Sequence, residues 1–273
     1  MKFWQAASFA LVGSMIASLV PAQTTEKAEY RQGSVVLGKV SEGTRVFLGD
    51  RELKVSPDGR YVFGIGRDEK NNQRLRLLAP DGSNRLQDVR VLAREYRIQR
   101  VNGVPSETVT PPEAQLKRIR EEAAQAWAAR DVNSDLTDFA HGFIWPLIGP
   151  VTGVYGSQRI YNGVPKNPHF GVDVAAPTGT VVVAPAGGIV RLAHEDMFFS
   201  GGTLILDHGH GLTSSFIHLS ALLVEKGERV EQGQPIAEVG ATGRATGPHL
   251  DWRMNWFDVR VDPATLVGPM PKQ

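Results

Sequence analysis

The chain has no cysteine among its 273 residues. Disulfides, a thiolate metal site and the lipid-bearing cysteine of a bacterial lipoprotein are therefore excluded, and any metal must be held by histidine, aspartate or glutamate. It also lacks an excess of either charge, with 30 Lys and Arg against 29 Asp and Glu. Nothing in that balance calls for nucleic acid or an acidic surface as a partner. Beyond the first two dozen residues no apolar run approaches the ~20 residues that cross a bilayer, so no membrane span is expected there. The first stretch, MKFWQAASFALVGSMIASLVPAQ, places Lys2 before an uncharged apolar run and ends in Val20-Pro21-Ala22. Gln5 and several small residues shorten that run, so residues 1–22 read as a signal peptide cleaved after Ala22 rather than as an anchor. The expectation is an exported protein, in the periplasm or otherwise in the extracellular cell wall.

What the sequence does have is β-branched residues punctuated by turns. SVVLGKV, TRVFL, YVFGIG, LRLLA and VRVLAREYRIQRV, broken at Glu42-Gly43, Gly49-Asp50, Asp58-Gly59 and Asp81-Gly82, predict a small β-rich accessory module over residues 30–104. Its Gly64-x-Gly66 has no helix start or lysine after it, so it reads as a strand irregularity and not as a phosphate loop. One amphipathic helix follows as a linker over 110–131. Thr110 and Glu113 have capping-box spacing, Pro111 suits the first helical position, and Leu116, Ile119, Ala123 and Trp127 fall on one face. From Phe139 the text turns to glycine, proline and short strand-like runs, predicting an all-β domain over 139–268. Within it, Gly179 to Val190 and Gly227 to Val239 share a rhythm that hints at a weak duplication.

All seven histidines lie in this last region: His141, His169, His194, His208, His210, His218 and His249. In HFGVD, His169 and Asp173 are four apart, which in extended chain covers ~13 Å. They converge on one ion only if the chain bends between them, and Gly171 permits a bend. In HLDWRMNW, strand parity puts His249, Asp251, Arg253 and Asn255 on one face and Leu250, Trp252, Met254 and Trp256 on the other. His208-Gly209-His210 has the same spacing as His249 and Asp251, but its glycines mark a hairpin turn, where histidines usually face solvent or bond to backbone. His218, without a near neighbour, reads on its own as a structural histidine.

Taken together, WPLIGPVTGVYGSQR, HFGVDVAAPTGTVVVAPAGGIV, TSSFIHLS and GATGRATGPHL, in that order from about Phe143 to Val267, resemble the LytM/lysostaphin-type zinc peptidases that cut peptidoglycan cross-bridges. The resemblance implies a mainly β protein whose C-terminal LytM-type metallopeptidase domain is built of twisted antiparallel sheets. It implies that His169 and Asp173 match the first two zinc ligands, that the position two beyond His249 matches the third, and that His218 and His249 match the pair acting on water and the developing oxyanion. The departure is Asp251, where the family usually has histidine. Zinc accepts carboxylate oxygen as well as imidazole nitrogen, so Asp251 can close the set. A second carboxylate weakens the ion as a Lewis acid, which predicts a slower or more alkaline enzyme, or a preference for a harder ion such as Mn2+ over Zn2+. Tyr155, Arg159 and Asn162 precede the first ligand and are placed in the substrate cleft by position alone. The expected partners are peptidoglycan stem or bridge peptides. A second reading is a metal-free LytM-type domain that activates cell-wall amidases, with an amidase as partner. Retention of His169, Asp173, His218 and His249, and a replacement that itself coordinates, favour the metallopeptidase.

Overall fold

The computed structural model describes residues 27–101, 113–161, 164–165 and 167–272. The expected signal peptide and the expected Thr110–Pro111 cap lie outside these residues. The described chain begins with β1 (Lys27–Arg31), β2 (Val35–Lys39), β3 (Arg45–Leu48), β4 (Arg51–Leu53), β5 (Arg60–Gly64), β6 (Gln73–Leu78), β7 (Asn84–Leu92) and β8 (Ile98–Val101). Five of these form a sheet in the order β1-β7-β6-β3-β4, and β2 pairs with β5. β1 runs parallel to β7 and consists of KAEYR. It carries no apolar alternation, so hydrophobic patterning misses it. β5 is the opposite case, with Tyr61, Val62 and Phe63 all buried. A Cβ on Gly64 would sit 2.8 Å from Val261 and 2.9 Å from the Trp256 side chain. This glycine is there because the amino-terminal module presses directly on the C-terminal strands.

The helix, α1 (Leu116–Arg130), follows a short 3-10 turn at Glu113–Gln115. Ala126 and Ala129 pack on Leu192, Met197 and Ile205. Of the predicted stripe, Leu116 and Ile119 are half-buried, whereas Ala123 and Trp127 are exposed, Trp127 by 53%. The docked face is rotated because a carboxylate anchors it. Glu122 is buried, accepting from the Arg118 Nε–H at 2.6 Å and from the backbone N–H of Phe198 at 2.7 Å. Counting only apolar residues could not find a face fixed by a satisfied buried acid.

The C-terminal region adds β9 (Val151–Gly153), β10 (Gln158–Tyr161), β11 (Val164–Pro165), β12 (Gly171–Ala175), β13 (Val181–Val183), β14 (Gly188–Met197), β15 (Gly201–Gly209), β16 (Leu212–Leu222), β17 (Arg229–Val230), β18 (Pro235–Val239), β19 (His249–Trp256) and β20 (Val259–Val261). The main path of its sheet is β17-β14-β15-β16-β19-β12-β9, with β18 joining β13 to β16 and β20 on β19. The two passages of similar rhythm pair with each other, β13 with β18 and β14 with β17. Gly179 N–H donates to Val239 O at 2.9 Å and Gly227 N–H to Val190 O at 2.8 Å. His210 and Gly211, with φ of 51° and 84°, make the tight turn between β15 and β16. Its two histidines are buried rather than solvent-facing. His208 donates from Nδ1 to Gly187 O at 2.7 Å and accepts from the Ser214 hydroxyl at 2.8 Å.

The sequence boundary between module and domain is not a boundary in the core. β8 pairs in parallel with β10, and one buried apolar cluster contains Val46, Phe63 and Val89 together with Leu206, Phe216 and Trp252. Among the described residues, no helix is long and apolar enough to cross a membrane. Gly64→Leu is expected to cost about 1–3 kcal/mol through overpacking of this shared core. Because the core is continuous, tryptophan fluorescence and far-UV circular dichroism should shift together to lower denaturant. A variant in which only one probe moves would show two independently folding units.

Candidate metal and acid–base centre

Antiparallel pairing of β12 with β19 sets Asp173 directly opposite Asp251 and Ala175 opposite His249. β9 flanks β12 on its other side, with Gly153 opposite Asp173. A Cβ at Gly153 would collide with the Asp173 carboxylate, and one at Gly171 with Asp251 Oδ1. Both glycines clear space for the carboxylates. Gly171 is not among the glycines with left-handed backbone. It supplies room for Asp251, and the approach of His169 to within 3.1 Å of Asp173 uses no left-handed backbone at this glycine. His169 reaches the cluster because it precedes the strand, where its backbone N–H donates to Ser157 O at 2.8 Å and its carbonyl accepts from Gly156 N–H at 2.7 Å.

The result is a compact donor set. His169 Nε2 lies 3.1 Å from Asp173 Oδ1 and 3.3 Å from Asp251 Oδ2. One ligating atom from each of His169, Asp173 and Asp251 lies within 4.8 Å of the others. His169 Nδ1 faces the Val154 carbonyl at 3.4 Å, which directs Nε2 to the carboxylates. Asp173 Oδ1 is buried and has no partner in hydrogen-bond geometry. A buried, unsatisfied carboxylate oxygen facing an imidazole nitrogen and a second carboxylate fits a divalent cation.

Charge accounts for the local titration. Burial disfavours the His169 imidazolium, but the Asp173 and Asp251 carboxylates outweigh it and push its pKa up to about 10. Burial likewise favours neutral Asp251, yet Arg253 and His169 hold its carboxyl well below the usual carboxylate range. Arg253 Nη2 is 2.6 Å from Asp251 Oδ2, and its Nε–H spans both oxygens at 3.0 and 3.1 Å. Two more guanidinium groups share this field. Burial pushes Arg260 down to about 10, helped by Arg130 and Arg253, and burial with Arg253 lowers Arg130.

His249 and His218 adjoin the donor set. His249 Nε2 is 4.0 Å from Asp173 Oδ1, and its Nδ1–H donates to Gly247 O at 2.8 Å. The His218 ring centroid is 4.9 Å from that of His249, and its Nδ1–H donates to Thr242 O at 2.8 Å. Both rings thus present an unprotonated Nε2 when neutral. Burial lowers the pKa of His218. Ile217 is paired with Asp251 and shares its face, so regular alternation would send His218 to the opposite side. It escapes by a left-handed backbone, φ 66°, with its N–H donated to Ser200 O at 2.8 Å. Such a conformation in a non-glycine residue persists where the surroundings enforce it. Thr242 is part of that enforcement, since its hydroxyl accepts from Gly202 N–H at 2.9 Å and donates to Leu219 O at 2.8 Å.

The structure thus brings His169, Asp173, His218, His249 and Asp251 together. It does not do so for Tyr155, which is 1% exposed and donates its hydroxyl to Arg260 O at 2.8 Å. Packed edge-on against Phe170 and Tyr96, Tyr155 is a core residue and not a cleft wall. The Arg159 side chain and Asn162 lie outside the described residues. Sequence reasoning placed Arg253 on the ligand face without giving it a role, and it did not register Gly153 or Thr242. Parity was the available signal for Arg253; Gly153 and Thr242 had none, since both act through contacts distant in sequence.

A model of the family described as Peptidase family M23 matches residues 167–263. A crystal structure from Pseudomonas aeruginosa, described as a peptidase of that family, superposes with a TM-score of 0.62 at 32% identity, covering 86% of this chain and 93% of the other. The chain is 37% identical over 101 residues to the peptidoglycan DD-endopeptidase ShyC of Vibrio cholerae, spanning 37% of this chain and 23% of ShyC. It is 30% identical over 161 residues to the cell division protein DipM of Caulobacter vibrioides, spanning 59% of this chain and 25% of DipM. The match thus spans about a quarter of the length of these curated relatives.

With no ion bound, the Asp173 and Asp251 carboxylates push the His169 pKa up to about 10 in the folded chain, against about 6.5 unfolded. A raised pKa contributes stability that is fully present below the unfolded value and is lost as pH rises through the folded one. Thermal melts of chelator-treated protein should therefore fall in midpoint from about pH 6.5 to 10, and His169→Gln should flatten that slope. A midpoint that rises over the same interval would contradict the charge arrangement.

Proposed function

Given that the chain belongs to peptidase family M23, we propose that it is an exported metal-dependent endopeptidase that hydrolyses peptide cross-links of bacterial peptidoglycan. One observation carries the reading: a His-Asp-Asp donor set, with Asp251 buried and the other two half-buried, in which Asp173 Oδ1 lies 3.1 Å from His169 Nε2 without a partner in hydrogen-bond geometry, with two histidines against it. The M23 assignment and the DD-endopeptidase relative support the peptide substrate. The signal-like segment at residues 1–22 supports export to the periplasm.

His169, Asp173 and Asp251 would hold one divalent ion. Zinc suits the mixed nitrogen and oxygen set, and manganese suits its two carboxylates. When bound, the ion supplies Lewis acidity toward the scissile carbonyl and makes a water more acidic. His249, its Nδ1–H committed to Gly247, offers Nε2 as the base that takes the proton from the attacking water. His218, aimed into the same space, serves the tetrahedral intermediate as it forms and collapses. The carbon–nitrogen bond then breaks, and the proton taken from water leaves on the amine. Burial, with a smaller contribution from the neighbouring His249, disfavours the charged form of His218.

Purified peptidoglycan digested with the mature protein should release peptides with new amino termini, and chelation should stop the release. His249→Ala should lower the rate by roughly 10²–10⁴-fold while metal content is kept, whereas Asp173→Ala should lose both. No new amino termini at neutral or alkaline pH with zinc or manganese supplied would overturn the hydrolase reading. Capture of an amidase by such an inactive protein would replace it with the regulatory one.

A further inference from the structure

Asp173 and Asp251 face each other across adjacent strands, a juxtaposition of like charges that is unfavourable in a sheet. The site does not meet this with His169 alone. Arg253, two residues along β19, engages Asp251 through both Nε and Nη2, while Asp251 itself is only 2% exposed. An ionised carboxylate has about four lone-pair positions, and the guanidinium contacts both oxygens, most closely Oδ2. Oδ2 still lies 3.3 Å from His169 Nε2, so the carboxylate spans the guanidinium and the donor cluster.

The stem of Arg253 has its own accommodation. A Cβ on Gly171 would sit 2.7 Å from Arg253 Cγ as well as colliding with Asp251 Oδ1. Gly171 therefore makes room for the ligand and for the arginine behind it. A planar fork held on a carboxylate fixes its orientation as well as its charge.

We propose that Arg253 is a positioning residue and counter-charge that makes Asp251 equivalent, toward a divalent ion, to a neutral ligand. With it, the donor set of one imidazole and two carboxylates presents one net negative charge instead of two. The inference rests on the metal-binding reading above. It implies that residues 251 and 253 are coupled. A neutral ligand at position 251 leaves Arg253 as an uncompensated cation beside the ion, whereas with the arginine removed the same exchange is tolerated.

Zinc affinity, measured by competition with a chromophoric chelator on the purified mature protein, tests this without reference to turnover. Asp251→His alone should lower affinity at least tenfold. In an Arg253→Met background the same exchange should carry no such penalty, and in an Arg253→Lys background, which keeps the charge, the penalty should persist. Arg253→Gln provides a second neutral background if the methionine variant does not fold, as judged by far-UV circular dichroism. Equal effects of Asp251→His in all backgrounds would overturn the inference while leaving the metal-binding reading intact. A wild-type protein that binds neither zinc nor manganese would overturn both.

Discussion

Two carboxylates opposed on neighbouring strands, one of them almost fully buried, are the constraint around which the rest of the site is arranged. Left alone they would repel in a medium that solvates them poorly. Each surrounding feature answers that problem. His169 sits against both, Arg253 clamps the more buried one, and Gly153 and Gly171 let the strands carry carboxylates where side-chain atoms would otherwise collide. The same concentration of negative charge makes the place suited to a cation.

The wider fold holds this arrangement from one face of the sheet. Ile205, beneath Ala129 of the helix, pairs with Ser215, and Ser215 pairs with Arg253. Directly opposed residues share a face, so α1 lies on the face that bears the donor set. Its last residue, Arg130, feels the field of Arg253. The opposite face of β19, formed by Leu250, Trp252, Met254 and Trp256, joins the core shared with the amino-terminal module. That module also meets the carboxyl-terminal region through Arg94, whose Nη1 is 2.6 Å from the buried Asp262 carboxylate. The accessory strands and the site are therefore parts of one packed body.

Much of this was legible in the sequence because it depends on local period. Alternation in HLDWRMNW gave the two faces of β19, and the glycine-flanked His210 marked its turn. The rest depends on contacts that no local pattern carries. KAEYR becomes a strand only by backbone pairing with β7. The helix turns to bury Glu122 because the Phe198 amide awaits it, so Trp127 faces outward. Tyr155 lies close to the site in sequence yet faces the core. His218 reaches the site only through a left-handed residue inside a strand, which violates the alternation that served elsewhere.

His169, Asp173 and Asp251 are proposed here as ligands of one metal ion in spite of the arginine on Asp251. The most direct test is a crystal structure of the protein grown with zinc, with anomalous diffraction recorded on both sides of the zinc edge. One strong anomalous peak is expected about 2.0–2.2 Å from His169 Nε2 and from an oxygen of each aspartate, with Arg253 still on Asp251. A structure without such a peak, in which His169 and Arg253 alone neutralise the two carboxylates, would contradict it.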